Sequence, residues 1–215
     1  MTFRPKKHQI LGLLPRSVVQ THGPRRGTAR FLSFDDGPHP EHTPRLLDVL
    51  AQHGARASFF VVGRHAEQHP AIVRRIVEEG HLLGNHSYSH QHFGRLGTDD
   101  QVAELERADQ VLAAFDRRSR HRIRTPQGHV SLPLLGYFAG ARRSLAYWCY
   151  DSLDYQHGDA ASVSARLRHL PPAPGDIVLM HDDGPCAAAA LAELLPIWRE
   201  AGWTFAALEQ DASCA

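Results

Sequence analysis

Residues 31–40 read FLSFDDGPHP: a short apolar run, two adjacent aspartates, and a Gly37–Pro38 pair that ends it. Phe31 to Phe34 has the length and composition of a buried parallel strand, and the Gly-Pro pair turns the chain away from it. The same kind of run recurs outward from here. Further candidate strands are 57–62, 81–85, 122–125, 145–150, 176–180 and 203–207. Helix-like segments separate them. Thr43 caps one with Pro44 at its first position, Leu46, Leu47 and Leu50 form its apolar face, and Gly54 ends it. Ile72, Val73, Ile76 and Val77 before Gly80 repeat the helical spacing, as do Val102, Leu105, Leu112 and Phe115 after Thr98. An alanine run at 187–190 suits another helix. Strands alternating with helices predict parallel strands joined by crossover helices, about seven such units in one α/β domain.

The bulk numbers agree with one domain and narrow the function. With 215 residues, 42% of them hydrophobic and 22% charged, the chain has enough apolar material for a sizeable core. A net charge of +1, from 24 basic and 23 acidic residues, is not that of a polyelectrolyte binder, so nucleic acid is not an expected partner. Three cysteines without CxxC spacing argue against a disulfide framework or a cysteine-rich zinc site, and Cys149 reads as a small core residue in a buried strand. The early apolar run Ile10 to Leu14, broken by Gly12 and closed by Pro15, is too short for a signal-peptide core or a transmembrane segment, which predicts a cytoplasmic protein. Residues 1–29 read as a basic, solvated N-terminal arm and 211–215 as a tail. Across residues 1–30, Arg4, Lys6, Lys7, Arg16, Arg25, Arg26 and Arg30 meet no acidic residue, which suits weak contact with an anionic membrane surface. No GxxxxGK pattern and no GxSxG elbow occur, excluding P-loop phosphoryl transfer and a serine-hydrolase nucleophile of that kind.

Polar residues cluster at the carboxyl ends of the candidate strands: Asp35 and Asp36, His86 and His90, Arg124, Asp151 and Asp154, and His181. In barrels of parallel strands that face carries the active site. In NHSYSH (85–90), His86 and His90 are four apart and share one face if a helix begins there. Two imidazoles and a carboxylate suit zinc or a similar divalent ion and leave positions open for water and substrate. Adjacent Asp35 and Asp36 repel each other, so burying both makes sense if one faces a metal and the other a proton. A second DDGP, at 182–185, reads as turn chemistry before a helix. The same ligand set also fits a non-haem iron oxygenase, a reading that leaves Asp35, Arg124 and His181 without a task.

The stretches FLSFDDGPHP, NHSYSH, RTPQG (124–128), DSLDY (151–155) and IVLMHD (177–182) resemble, in order and spacing, the motifs of the polysaccharide deacetylases with a NodB-like domain. The resemblance spans residues 30–208, and the domain is placed at 30–210. It implies a distorted, TIM-barrel-like (β/α)7 barrel and hydrolytic removal of the acetyl group from an N-acetylated amino sugar, in an oligo- or polysaccharide or a glycolipid precursor. Asp35 is then the general base, Asp36, His86 and His90 the ligands of one divalent metal, chiefly Zn2+ with Co2+, Ni2+ or Mn2+ as substitutes, and His181 the general acid. Arg124 holds Asp35, Asp154 orients His181, Leu179 lines the acetyl-methyl pocket, and the Gln127 amide binds the oxyanion. Two departures concern the groove: Gln127 stands where the family usually has an aromatic residue, and Tyr155 where it has tryptophan. Deformylation or other deacylation of a lipid- or nucleotide-linked amino sugar is the alternative for the same site. A non-catalytic glycan-binding relative would be expected to lack the base or the acid, and both are present.

Overall fold

The computed structural model describes residues 6–24, 27–156 and 158–210. Its centre is strand β2 (Ala29–Asp35), which lies between β3 (Ser58–Val61) and β7 (Ile177–His181), all parallel. Strand β4 (Leu82–Asn85) extends the sheet beyond β3, β6 (Tyr150–Asp151) extends it beyond β7, and β8 (Thr204–Phe205) pairs with the start of β2. A second pair joins β1 (Val19–Gln20) to β5 (Leu145–Ala146). Single bridges at Ile123, to Asn85 and to Leu145, link the two sheets, and an antiparallel bridge from His22 to Asp176 brings the chain after β1 to the foot of β7. The result is an irregular barrel of parallel strands.

Helices α2 (His42–Gln52), α3 (Gly63–Gln68), α4 (Pro70–Glu78), α5 (Thr98–Asp116), α6 (Leu132–Gly140), α7 (Ala160–His169) and α8 (Cys186–Glu200) follow or connect the strands. Where a helix must stop before a strand, glycine takes the left-handed conformation that other residues resist: Gly54 after α2 and Gly80 after α4. The period-two alternation of the strands decides what faces where. Leu32 and Phe34 of β2, Phe59 and Val61 of β3, and Val178 and Met180 of β7 belong to the outer core with Leu46, Leu47 and Leu50 of α2 and Leu191, Leu194 and Leu195 of α8. Phe31, Phe60 and Ile177 fill the barrel interior instead. The interior rows climb from Phe31 through Ser33 to Asp35, and from Ile177 through Leu179 to His181. Apolar side chains plug the bottom and ionisable ones crown the top.

Several expectations are corrected. Within 122–125 only Ile123 pairs, through isolated bridges to Asn85 and Leu145, so no strand forms there, and 145–150 breaks into β5 and β6. Cys149 lies in that break and is half-buried, not part of a core strand. Thr43 is not a cap: α2 starts at His42, and the Thr43 hydroxyl donates to Asp182 Oδ2. The described part of the N-terminal arm is no solvated leader. Helix α1 (Lys7–Leu11) and β1 pack Leu11 and Val19 into a core with Phe93, Ile123 and Phe138. Arg30 is buried, donates to the carbonyls of Thr28 and Pro172, and stacks on Trp203. Lys7 donates to the Gly128 carbonyl at 2.5 Å. Arg4, Arg25, Arg26 and the tail 211–215 lie outside the described residues. Among the described residues no helix is long and apolar enough to cross a membrane.

Candidate active site

Asp35 is the last residue of β2, points into the barrel and is only 4% exposed. Its Oδ1 accepts a hydrogen bond from Arg124 Nη1 at 2.8 Å. Arg124 is fully buried, and Nη1 and Nε also donate to Ser33 Oγ (2.9 Å) and the Ala146 carbonyl (3.1 Å), with Phe60 beneath the guanidinium at 4.1 Å. Taking one partner from a buried ion pair typically costs about 3–5 kcal/mol, so the pair fixes the Asp35 carboxylate tightly. The second Asp35 oxygen faces His86 Nε2 at 3.8 Å.

Asp36 follows in a left-handed conformation (φ 78°), which swings its side chain across the mouth of the barrel and away from that of Asp35. Its carbonyl is held by His65 Nδ1 at 2.9 Å. Asp36 Oδ1 lies 3.3 Å from His86 Nε2 and 3.0 Å from His90 Nε2, yet has no hydrogen-bond partner by geometry. His86 Nδ1 donates to the Arg124 carbonyl at 2.7 Å, the arrangement that leaves the Nε2 lone pair aimed at Asp36. Three electron-pair donors thus converge with no hydrogen-bond geometry among them, which is the arrangement a cation completes, and Asp36, His86 and His90 fit one metal ion. Without a cation the same crowding draws protons. Burial works against a charged His86, but Asp35 and Asp36 outweigh it and raise its pKa. Burial likewise opposes ionised Asp36, and the two imidazoles overcome it, holding the carboxyl well below the usual range.

The HxxxH pair does not sit on a helix. Ser87 and His90 are both left-handed (φ 68° and 55°), Asn85 Oδ1 accepts from the Ser87 amide, and Ser87 Oγ accepts from the His90 amide. This looped turn brings the two rings within 5.0 Å of each other, so the ligand expectation stands on a different local structure.

On the opposite side of the mouth, His181 Nδ1 and the buried Asp154 Oδ1 are 2.8 Å apart, and Asp154 Oδ2 accepts from the His181 amide at 2.7 Å. Burial disfavours the imidazolium, but Asp154 outweighs it and raises the His181 pKa to about 9. Tyr155 packs edge-on against His181 and remains 57% exposed. Gln127 is exposed and left-handed (φ 52°) on a short 3-10 turn, Pro126–Gly128. Asp35, Asp36, His86, His90, Gln127, Tyr155, Leu179 and His181 all line one cavity of about 380 Å³, while Arg124 and Asp154 stand behind it.

The structure adds residues that sequence reasoning missed. Trp148 walls the cavity, stacked on Tyr147 at 4.2 Å and so close to Gly128 that a Cβ there would lie 2.5 Å from its ring. The second DDGP is more than a turn. Asp182 is buried, accepts from the Gly37 amide at 3.0 Å and from Thr43 Oγ1 at 2.5 Å, and so braces the loop that presents Asp36. Burial and the neighbouring Asp183 and Asp36 charges push its carboxyl up to about 7, against the lowering effect of its donors. A repeated DDGP was a visible signal, but only the fold puts the two copies in contact.

Comparison with known proteins identifies the family and supports the fold. The polysaccharide deacetylase family model matches residues 22–138, just over half of the chain. A chitooligosaccharide deacetylase of Sinorhizobium fredii is 36% identical over 208 residues, covering 87% of this chain and 95% of the relative. The crystal structure of the Bc1960 peptidoglycan N-acetylglucosamine deacetylase superposes with a TM-score of 0.82 at 29% identity, covering 89% of this chain and 91% of that one. A family 4 carbohydrate esterase from Streptomyces lividans, in complex with acetate, gives 0.75 at 29% identity, over 83% and 92% of the two chains. Similarity over nearly the whole chain, on a barrel whose strand ends carry these carboxylates and histidines, means that the chain belongs to the polysaccharide deacetylase family.

Proposed function

We propose that this protein hydrolyses the acetamide of an N-acetylated amino sugar, carried in an oligo- or polysaccharide or a glycolipid precursor, releasing acetate and the free amine. One observation carries the reading: Asp35 and His181, a proton acceptor and a proton donor, flank the trio of Asp36, His86 and His90 at the top of one cavity. Asp36, His86 and His90 hold a divalent ion, zinc by donor type, with cobalt, nickel or manganese as substitutes. When bound, that ion supplies Lewis acidity and lowers the pKa of a coordinated water.

Asp35, fixed by Arg124, takes the proton of the attacking water. Its second oxygen, the one nearer His86, faces the trio. The Gln127 amide offers a donor to the oxyanion, a contribution typically worth about 3 kcal/mol, and Lys7 steadies that turn through the Gly128 carbonyl. His181, kept protonated at neutral pH by Asp154, gives its proton to the departing amine. Leu179, directly below on the interior row, receives the acetyl methyl. Trp148 and Tyr155 form the groove wall and compensate for the absent aromatic at Gln127.

The test is acetate release from N-acetylglucosamine oligomers and from lipid- and nucleotide-linked amino sugars, with zinc or cobalt and again after chelation. Metal-dependent acetate release is expected. Release of formate from formyl analogues alone would move the assignment to deformylation, and no release from metal-loaded protein would overturn the reading.

A further inference from the structure

A second cluster of metal-type donors lies at the far end of β7, away from the cavity. One ligand atom each from His22, Cys149 and Asp176 falls within 4.8 Å of the others. All three side chains are half-buried, and none has a task in the hydrolysis described above. They come from three separate segments: the second residue after the arm's strand β1, the break between β5 and β6, and the residue before β7.

We propose that His22, Cys149 and Asp176 form a second metal site, taking a zinc-like divalent cation at the seam where the chain after β1 meets the foot of β7. The backbone already fixes the three positions. His22 and Asp176 are bridge partners, the Gly23 amide donates to the Gly175 carbonyl at 2.9 Å, and the Cys149 amide donates to the Ile177 carbonyl at 3.2 Å. The side chains are oriented as well. Asp176 Oδ2 accepts from the Ala173 amide at 2.8 Å, which turns Oδ1 toward Cys149 Sγ, 3.4 Å away. His22 Nδ1 lies 3.0 Å from Thr21 Oγ1, a contact that orients the ring in the way outer-sphere partners orient metal-binding histidines. Bonds of about 2.0–2.3 Å to a tetrahedral zinc place donors about 3.3–3.8 Å apart, so small side-chain rotations close the cluster on an ion. His8 of α1 packs edge-on to His22 with ring centroids 6.4 Å apart, so a cation here ties α1, β1 and β7 together.

The sulfur ligand makes the site separable from the catalytic one, whose proposed donors are only nitrogen and oxygen. Metal-stripped, reduced protein is titrated with cobalt(II) alone and followed by absorption and by bound metal. The expected result is two cobalt ions per chain, with sulfur-to-cobalt charge-transfer absorption that saturates with one of them. Cys149→Ser removes that absorption and one equivalent while leaving metal-dependent acetate release in place, and Cys186→Ser changes neither. His86→Ala retains the sulfur absorption. If Cys149→Ser does not fold, His22→Gln serves, keeping the thiol but weakening the sulfur-bound ion by more than about tenfold. Absence of the sulfur absorption at saturating cobalt, or its survival in Cys149→Ser, overturns the proposal whatever the hydrolytic assay gives.

Discussion

Asp35 and His181 are register partners, facing each other across the adjacent parallel strands β2 and β7. Strand neighbours stand about 4.8 Å apart, and both residues end interior rows, so the ladder itself places a proton acceptor beside a proton donor. Each is then held by a partner of its own, and that of His181 raises its pKa. Arg124 pairs with the carboxylate, and Asp154 holds a proton on the imidazole.

Replacing Asp35 by Asn keeps an acceptor for Arg124 but removes the base. Metal content should remain at the parent level while kcat falls by about 10²–10⁴-fold. His86→Ala should lose bound catalytic metal and turnover together. Elemental analysis beside acetate release checks both, and full catalytic metal in His86→Ala would refute the ligand assignment.

Asp154→Asn removes the group that raises the His181 pKa to about 9. Activity requires the protonated imidazole, so the parent should lose kcat/KM as pH rises through the alkaline range. The variant should lose it nearer neutrality and keep more of it at lower pH. An alkaline limb that stays in place would show that His181 is not the acid.

Asp182 has a carboxyl pKa near 7 in the folded protein, above its ordinary value of 3.8. Between those values the folded chain holds the proton more firmly than the unfolded one, so this group's stabilisation is present at low pH and lost as pH rises toward and through 7. Asp182→Asn cannot ionise. Thermal unfolding of metal-free protein should therefore move in the variant's favour, relative to the parent, from pH 5 to pH 8; a constant difference would contradict this.

Gly128 is left-handed (φ 58°), and any side chain there meets Trp148. Gly128→Ala should shift the Gln127 amide and lower kcat by about tenfold or more with metal retained. Adding Trp148→Phe relieves the overlap and should recover part of the rate. Failure to recover would mean that backbone strain, not the ring, dominates.

Much of this was legible in the chain. The apolar run before Asp35 and the run before His181 are both real strands, because buried parallel strands leave a compositional trace that needs no partner to be seen. The catalytic and ligand candidates all reached one cavity or its immediate support. Features that depend on long-range pairing were not legible. Residue 123 is held by one bridge on each side, too little to mark a strand, and Val19–Gln20 becomes β1 only because β5 is available to it. The His86–His90 turn rests on left-handed Ser87 and His90, residues whose types do not advertise that conformation. Asp182 looked like a loop residue because its partner, Gly37, is 145 positions away.

The alternating interior rows also set which insertions and deletions this protein can survive. Insertions between strands leave unchanged which side chains the strands turn inward. One residue added or removed inside β2 would turn Phe34 toward the cavity and Asp35 into the apolar layer beneath α2 and α8. The same slip in β7 would exchange His181 for Met180. Among homologues, length variation should therefore accumulate between strands and vanish within these two, since here a frame error of one residue is equivalent to deleting the base or the acid.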